Sequence, residues 1–103
     1  MSAALRQLLW FLLAGTRGGP NRARIIVALH ARPRNAHQLG KDLGLDYRTI
    51  RHHVDLLQRN GLLTQPAGPA YAAPYFLSAY LEGNYATFEE IHRAMPPSGG
   101  ESG

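Results

Sequence analysis

Hydrophobic and polar positions divide this chain into four helix-like stretches, a strand-like pair and a fifth helix-like stretch. From Ser2, a candidate cap, to Ala14 nearly every position is apolar, through Leu5, Leu8, Leu9, Phe11, Leu12 and Leu13. Gly15-Thr16-Arg17-Gly18-Gly19 then stops the helix. A helix with no clear polar face must be covered on more than one side, and a chain this small covers one at best. Pro20 opens the second helix in its first turn, Ile25, Ile26, Ala28 and Leu29 give its stripe, and Arg32-Pro33-Arg34 ends it. Asn35 caps a short third helix with Ala36, Leu39 and Leu43 inward, stopping at Gly44. Asp46 caps a fourth, in which Ile50, Val54 and Leu57 recur at i, i+4 and i+7 until Asn60-Gly61.

Beyond Gly61 the pattern changes. Leu62 to Gln65 and Tyr71 to Leu77 predict two short strands around Pro66-Ala67-Gly68-Pro69-Ala70, and Pro74 confines the second to an edge. A last helix, about Ala79 to Met95, carries Leu81, Tyr85, Phe88, Ile91 and Met95 as a narrow coiled-coil-like seam. The expected fold is mainly α with a small β-hairpin (α+β): two helices joined by a tight Leu43-Gly44-Leu45-Asp46 turn, followed by a hairpin, which is a winged helix-turn-helix. One domain is expected over 1–95, its core at 20–78 flanked by dimerisation helices at 1–14 and 79–95, with a disordered tail at 96–103. The dimer seam is expected to use Leu5, Leu8, Leu9 and Leu12 with Leu81, Tyr85, Phe88 and Ile91, the second cover being another copy of the chain.

Charge sharpens this picture. The 103 residues carry a formal net charge of +4, unevenly spread. Arg17, Arg22, Arg24, Arg32, Arg34, Lys41, Arg48 and Arg51 face only Asp42 and Asp46 in the middle, whereas Glu82, Glu89, Glu90 and Glu101 face Arg93 at the end. A basic middle and an acidic end suit docking on phosphates through one face. With Ile50, Val54 and Leu57 buried, Arg48, Arg51, His52 and Asp55 turn outward, and Tyr47 and Thr49 sit near the helix start. Such a helix fits the DNA major groove. Arg48, Thr49, Arg51 and His52 are expected to read bases, while Tyr47, Gln38, Arg22 and Arg24 steady the backbone. Gly15 to Pro20 could hold a DNA phosphate at a helix start but lacks the ending of a nucleotide loop.

The segment from about Gly15 to Ser78 resembles the winged-helix domain of ArsR-type transcriptional regulators, especially small archaeal members. Gly19-Pro20-Asn21-Arg22-Ala23-Arg24-Ile25-Ile26, Gln38-Leu39-Gly40-Lys41-Asp42-Leu43, Asp46 to Val54, Asn60-Gly61-Leu62-Leu63 and Tyr75-Phe76-Leu77-Ser78 carry the resemblance. It implies a homodimeric repressor or activator on double-stranded DNA, with terminal helices paired across a two-fold axis. Two features depart from that pattern. The wing tip, Pro66 to Ala70, has no charge, so wing contacts fall to backbone groups, Gln65 or Tyr71. Metal sensors of this type use cysteines or paired Asp and His, whereas this chain has no cysteine and its last helix offers only Glu89, Glu90 and His92.

No cofactor, metal or catalytic site is expected, since neither a Ser/His/Asp arrangement nor a pair of carboxylates in a cleft is legible. Adjacent His52 and His53 point about 100° apart on a helix, so His52 is assigned to DNA and His53 to the core edge. The run Leu8 to Ala14 is far short of the ~20 apolar residues of a membrane span, and a cytoplasmic protein is expected. Two other readings stay open: a winged helix that binds a protein through the Leu8–Leu13 face, and an effector-responsive repressor, its effector a small molecule between the terminal helices near Trp10, Phe11, Tyr80, Tyr85 and Phe88 or, less favoured, a metal.

Overall fold

The computed structural model describes residues 3–69 and 72–96. Ser2, the far wing residues Ala70 and Tyr71, and the tail beyond Pro96 lie outside the described residues, so the expectations placed on them are not addressed by it. The first helix starts as an α-helix (α1, Ala3–Leu9) and continues as a π-helical turn, Trp10–Ala14. Its C-terminal Gly15 amide reaches both the Trp10 carbonyl at 2.9 Å and the Phe11 carbonyl at 3.2 Å. Helix α2 spans Gly19–Ala31 with Pro20 in its first turn, as the sequence predicts. The chain approaches itself most tightly at Gly19, where a β-carbon would collide with the Leu13 backbone of the π turn.

Helices α3 (Ala36–Leu43) and α4 (Tyr47–Arg59) form the helix-turn-helix pair. Asn35 caps α3 in a full capping box: its side chain accepts from the Gln38 amide while the Gln38 side chain accepts from the Asn35 amide, both at 2.9 Å. Gly44 ends α3 in the left-handed region at φ 72°, where a side chain would be strained. Asp46 caps α4 through the Thr49 amide at 2.7 Å.

Strands β1 (Leu63–Thr64) and β2 (Phe76–Leu77) pair antiparallel, Leu63 opposite Leu77 and Thr64 opposite Phe76. A single bridge from Arg34 to Tyr75 extends this ladder to the α2–α3 link, with the Tyr75 amide donating to the Arg34 carbonyl at 2.8 Å. The strands are shorter than the sequence predicts; Ala72 and Ala73 are held in a turn by the Pro69 carbonyl, and Pro74 has no amide to offer a partner strand. The last helix is also corrected. It breaks into α5 (Ala79–Glu82) and α6 (Tyr85–Ala94), because the Asn84 side chain bonds the Tyr80 carbonyl and its backbone turns to start a new helix.

One core joins all of these elements. Ile25, Ile26 and Leu29 of α2 meet Leu39, Ile50, Val54, Leu57 and the strand residues Leu63 and Leu77. Leu5, Leu9, Leu12, Leu81, Phe88 and Ile91 are buried in that same cluster. That corrects their expected placement: they are consumed by the chain's own core, with Leu9 and Phe88 at 0% exposure, and have no surface left for a partner. Of the expected seam, Leu8 and Tyr85 alone keep partial exposure. The missing cover was overestimated because α6 folds back on α1 and supplies it.

Candidate nucleic-acid interface

Helix α4 buries Ile50, His53, Val54 and Leu57 against the core. At 100° per residue, the direction opposite that stripe is occupied by Arg48, His52, Asp55 and Arg59. Arg48, His52 and Arg59 are exposed, and among the described residues both arginines are free of hydrogen bonds and ion pairs. Arg59 was not singled out from the sequence, although its i+11 spacing from Arg48 puts it on the same line. Thr49 is half-buried on one flank.

Arg51 lies on the other flank and is less free than its sequence position suggests. Its guanidinium donates to the Tyr47 hydroxyl at 3.4 Å and to Asp55 at 3.3 Å, and its Nε is buried without a partner. The Tyr47 bond is the main cause of its raised pKa. Tyr47 in turn stacks on His37 of α3, ring centroids 4.4 Å apart. His37 is therefore a further member of this surface that the sequence had left unassigned; its place at the start of α3, beside Gln38, was the available signal. His37, Gln38, Lys41 and Asp42 are the exposed positions of α3, and His37 is the one stacked on α4. The Thr49 amide is the first cause of a lowered Asp46 pKa, so the cap stays ionised at the start of α4.

Several expected backbone contacts already have work inside the fold. Gln38 closes the capping box through its carbonyl oxygen, leaving its amide nitrogen outward. Arg24 is exposed but caps α3 by donating to the Leu43 carbonyl at 2.8 Å. Gln65 donates to the Ala73 carbonyl at 3.0 Å and ties the wing together. Arg22 is a correction: it is 3% exposed, so it cannot reach a phosphate. Its guanidinium donates to the Leu12 carbonyl at 2.9 Å, to the Thr16 hydroxyl, and to His53 Nδ1 at 3.1 Å. His53, at 5% exposure, sits at the core edge as expected. Burial first, then the Arg22 charge, pushes its pKa down to about 4, so it is neutral with Nδ1 as an acceptor.

A second surface lies between the first helix and α6. Trp10 and Phe11 are 48% and 58% exposed, and with Gln7, Gly15, Ile91 and Ala94 they border an apolar cavity of about 500 Å³. The π turn directs these two rings outward. At the rim Arg6 donates to Glu90 at 2.8 Å. Among the described residues, no three His, Asp or Glu side chains stand together as a metal site, and no helix is long and apolar enough to cross a membrane.

Solved structures share this arrangement of helices and hairpin. The transcriptional regulator HlyU from Vibrio vulnificus CMCP6 is 22% identical with a TM-score of 0.63, over 88% of this chain and 85% of that one. The reduced form of the transcriptional regulator YodB from B. subtilis is 17% identical with a TM-score of 0.67, over 90% of this chain and 89% of that one. A probable transcriptional regulator from Pseudomonas aeruginosa is 25% identical with a TM-score of 0.59, over 88% of this chain and 74% of that one. No protein-family model and no curated protein matches the chain. The fold is that of the winged-helix regulators. The ArsR-type subfamily is not singled out by these neighbours, which also include a MarR-like regulator from Thermotoga maritima.

Proposed function

We propose that this protein is a sequence-specific, double-stranded-DNA-binding transcriptional regulator that acts in the cytoplasm as a homodimer. The observation that carries the reading is the outward face of α4, where Arg48, His52 and Arg59 project from a helix capped at its start and clamped by its buried side. Inserted in a major groove, Arg48 bonds guanine O6 and N7, His52 and Thr49 touch neighbouring base edges, and Arg59 takes a phosphate. His37, Tyr47, Arg51, the Gln38 amide and Lys41 form a second rank against the sugar-phosphate backbone. The wing, with Gln65 committed to its own hairpin, contributes through backbone groups and Tyr71. The ArsR-type resemblance of Gln38 to Val54 supports this assignment, as do solved neighbours described as transcriptional regulators.

A two-fold dimer places half-sites about one helical turn (~34 Å) apart. Its seam is formed by Trp10 and Phe11 over the α1–α6 cavity, with half-buried Leu8 and Tyr85 beside it, because Trp10 and Phe11 are the most exposed large apolar side chains among the described residues. Arg6 and Glu90 at the rim give each copy both signs of charge, as a self-complementary patch needs. That cavity also favours a second reading, in which a small apolar effector enters it and regulates the same DNA-binding face; its volume lies in the usual range for ligand sites.

Selection from a randomised duplex pool tests the proposal. It is expected to yield an inverted repeat with half-sites spaced by one helical turn. Recovery of unrelated sequences, or none, from a folded protein contradicts it.

A further inference from the structure

We infer that Arg22 is a positioning residue that couples the Trp10–Phe11 surface to the recognition helix. The inference rests on the DNA-binding reading for its consequence, though not for its geometry. Three separate parts of the chain converge on one buried guanidinium: the Leu12 carbonyl in the π turn, the Thr16 hydroxyl in the following loop, and His53 Nδ1 on α4. Thr16 closes the circuit by donating to the Leu12 carbonyl at 3.2 Å.

The guanidinium is planar and rigid, so its donors hold fixed directions. Movement of any one acceptor must be followed by the others or leave a buried donor unmade, which is costly. All three partners are uncharged, His53 being held neutral, so no carboxylate competes for the cation. Burial works against the charge and lowers the Arg22 pKa, and the carbonyl end of the first helix, where a cation is stabilised, opposes that cost. The site is also closed: a β-carbon at Gly18 would stand 2.6 Å from Arg22 Nη1 and 2.7 Å from the His53 ring.

The two ends of this bridge explain what it transmits. Leu12 follows Trp10 and Phe11 directly, and Gly15 of the same turn borders the apolar cavity. A π turn holds one residue more per turn than an α-helix, so a slip to α register rotates the segment and moves the Leu12 carbonyl. Whatever settles on Trp10 and Phe11, a second copy or an effector, therefore acts on an element whose carbonyl is tied to α4. His53 neighbours His52 on the outward face, so a small shift of His53 re-aims the base-reading side chains.

The test is a double-mutant cycle in the whole protein. Phe11→Ala alters the exposed end of the bridge, and Arg22→Met removes the bridge while leaving Thr16 to bond the Leu12 carbonyl. Backbone amide NMR of the free protein is expected to show Phe11→Ala displacing α4 signals between Thr49 and Leu57. The displacement should vanish when Arg22→Met is present. On duplex DNA, Phe11→Ala should change the dissociation constant by about fivefold or more beyond its effect in the Arg22→Met background, where the weakened dimer alone is felt. Trp10, the one tryptophan, gives the reverse readout: its fluorescence should respond to DNA in the wild type and not in Arg22→Met.

An effect of Phe11→Ala that is equal in both backgrounds, as simple loss of a dimer would give, overturns the inference. So does a wild-type α4 that ignores Phe11→Ala. Should Arg22→Met fail to fold, His53→Leu breaks the same bridge from the other end, and His53→Asn, which keeps an acceptor near Nδ1, should restore the coupling. If the wild type binds no duplex, the DNA-binding reading fails, while the NMR cycle still decides the bridge.

Discussion

Leu9 and Phe11 are two residues apart in the first helix, and introducing aspartate at each should have opposite consequences. Leu9 is fully buried in the chain's own core, so Leu9→Asp places a carboxylate among leucines with no partner. Such a change costs upward of about 4 kcal/mol, enough to unfold a domain of this size. Phe11 is 58% exposed, so the folded monomer loses little when it is replaced. A dimer loses more. Full burial of a phenylalanine is worth about 1.5–3 kcal/mol, and just over half of that remains to be gained, roughly 0.9–1.7 kcal/mol per copy. Two symmetric copies give roughly 2–3.5 kcal/mol, which is about a 30- to 300-fold weaker dimer. Sedimentation equilibrium with thermal melts separates the two effects. Phe11→Asp should keep the wild-type melting temperature and sediment as a monomer where the wild type is dimeric; Leu9→Asp should fail to melt cooperatively. A Phe11→Asp protein with unchanged mass would refute the seam, and a stable Leu9→Asp monomer would refute the core assignment.

Three other outcomes follow from single features. Gly19→Ala should destabilise the fold by several kcal/mol despite the ~1 kcal/mol gained from helix propensity, because its β-carbon meets the Leu13 backbone; urea unfolding measures it, and wild-type stability would deny that close approach. Stability should fall on acidification from about pH 6.5 to about pH 4, since His53 takes a proton more readily when unfolded; in His53→Asn that part of the pH profile should flatten. Arg48→Ala should cost roughly 1–3 kcal/mol on the selected site and relax preference at one base pair, whereas equal weakening on all duplexes would make Arg48 a phosphate contact.

The helical framework was legible because local chemistry marks it: Pro20, Asn35, Gly44 and Asp46 each stand at a boundary that their own backbone or capping preference dictates. The helix-turn-helix and its outward face followed from the spacing of Ile50, Val54 and Leu57. What local pattern could not give was long-range cover. An all-round apolar first helix looked half-uncovered, yet α6 and α2 enclose Leu5, Leu9 and Leu12 and leave Trp10 and Phe11 outside. The same limit hid the role of Arg22. A basic residue among other basic residues reads as a surface charge, and its partners Leu12, Thr16 and His53 are brought together only by folding. The break at Gly83-Asn84 was written in the sequence, but the regular seam on either side of it outweighed that signal.

The central claim is that the α4 face binds duplex DNA, and a fluorescence-anisotropy titration over a series of salt concentrations tests it most directly. The account predicts tight binding whose logarithm falls steeply and linearly with the logarithm of salt, by about one unit of slope for each phosphate engaged. In an Arg48→Ala/Arg51→Ala protein of wild-type fold that affinity should collapse. Absent binding at low salt, or binding untouched by the double substitution, would contradict the claim.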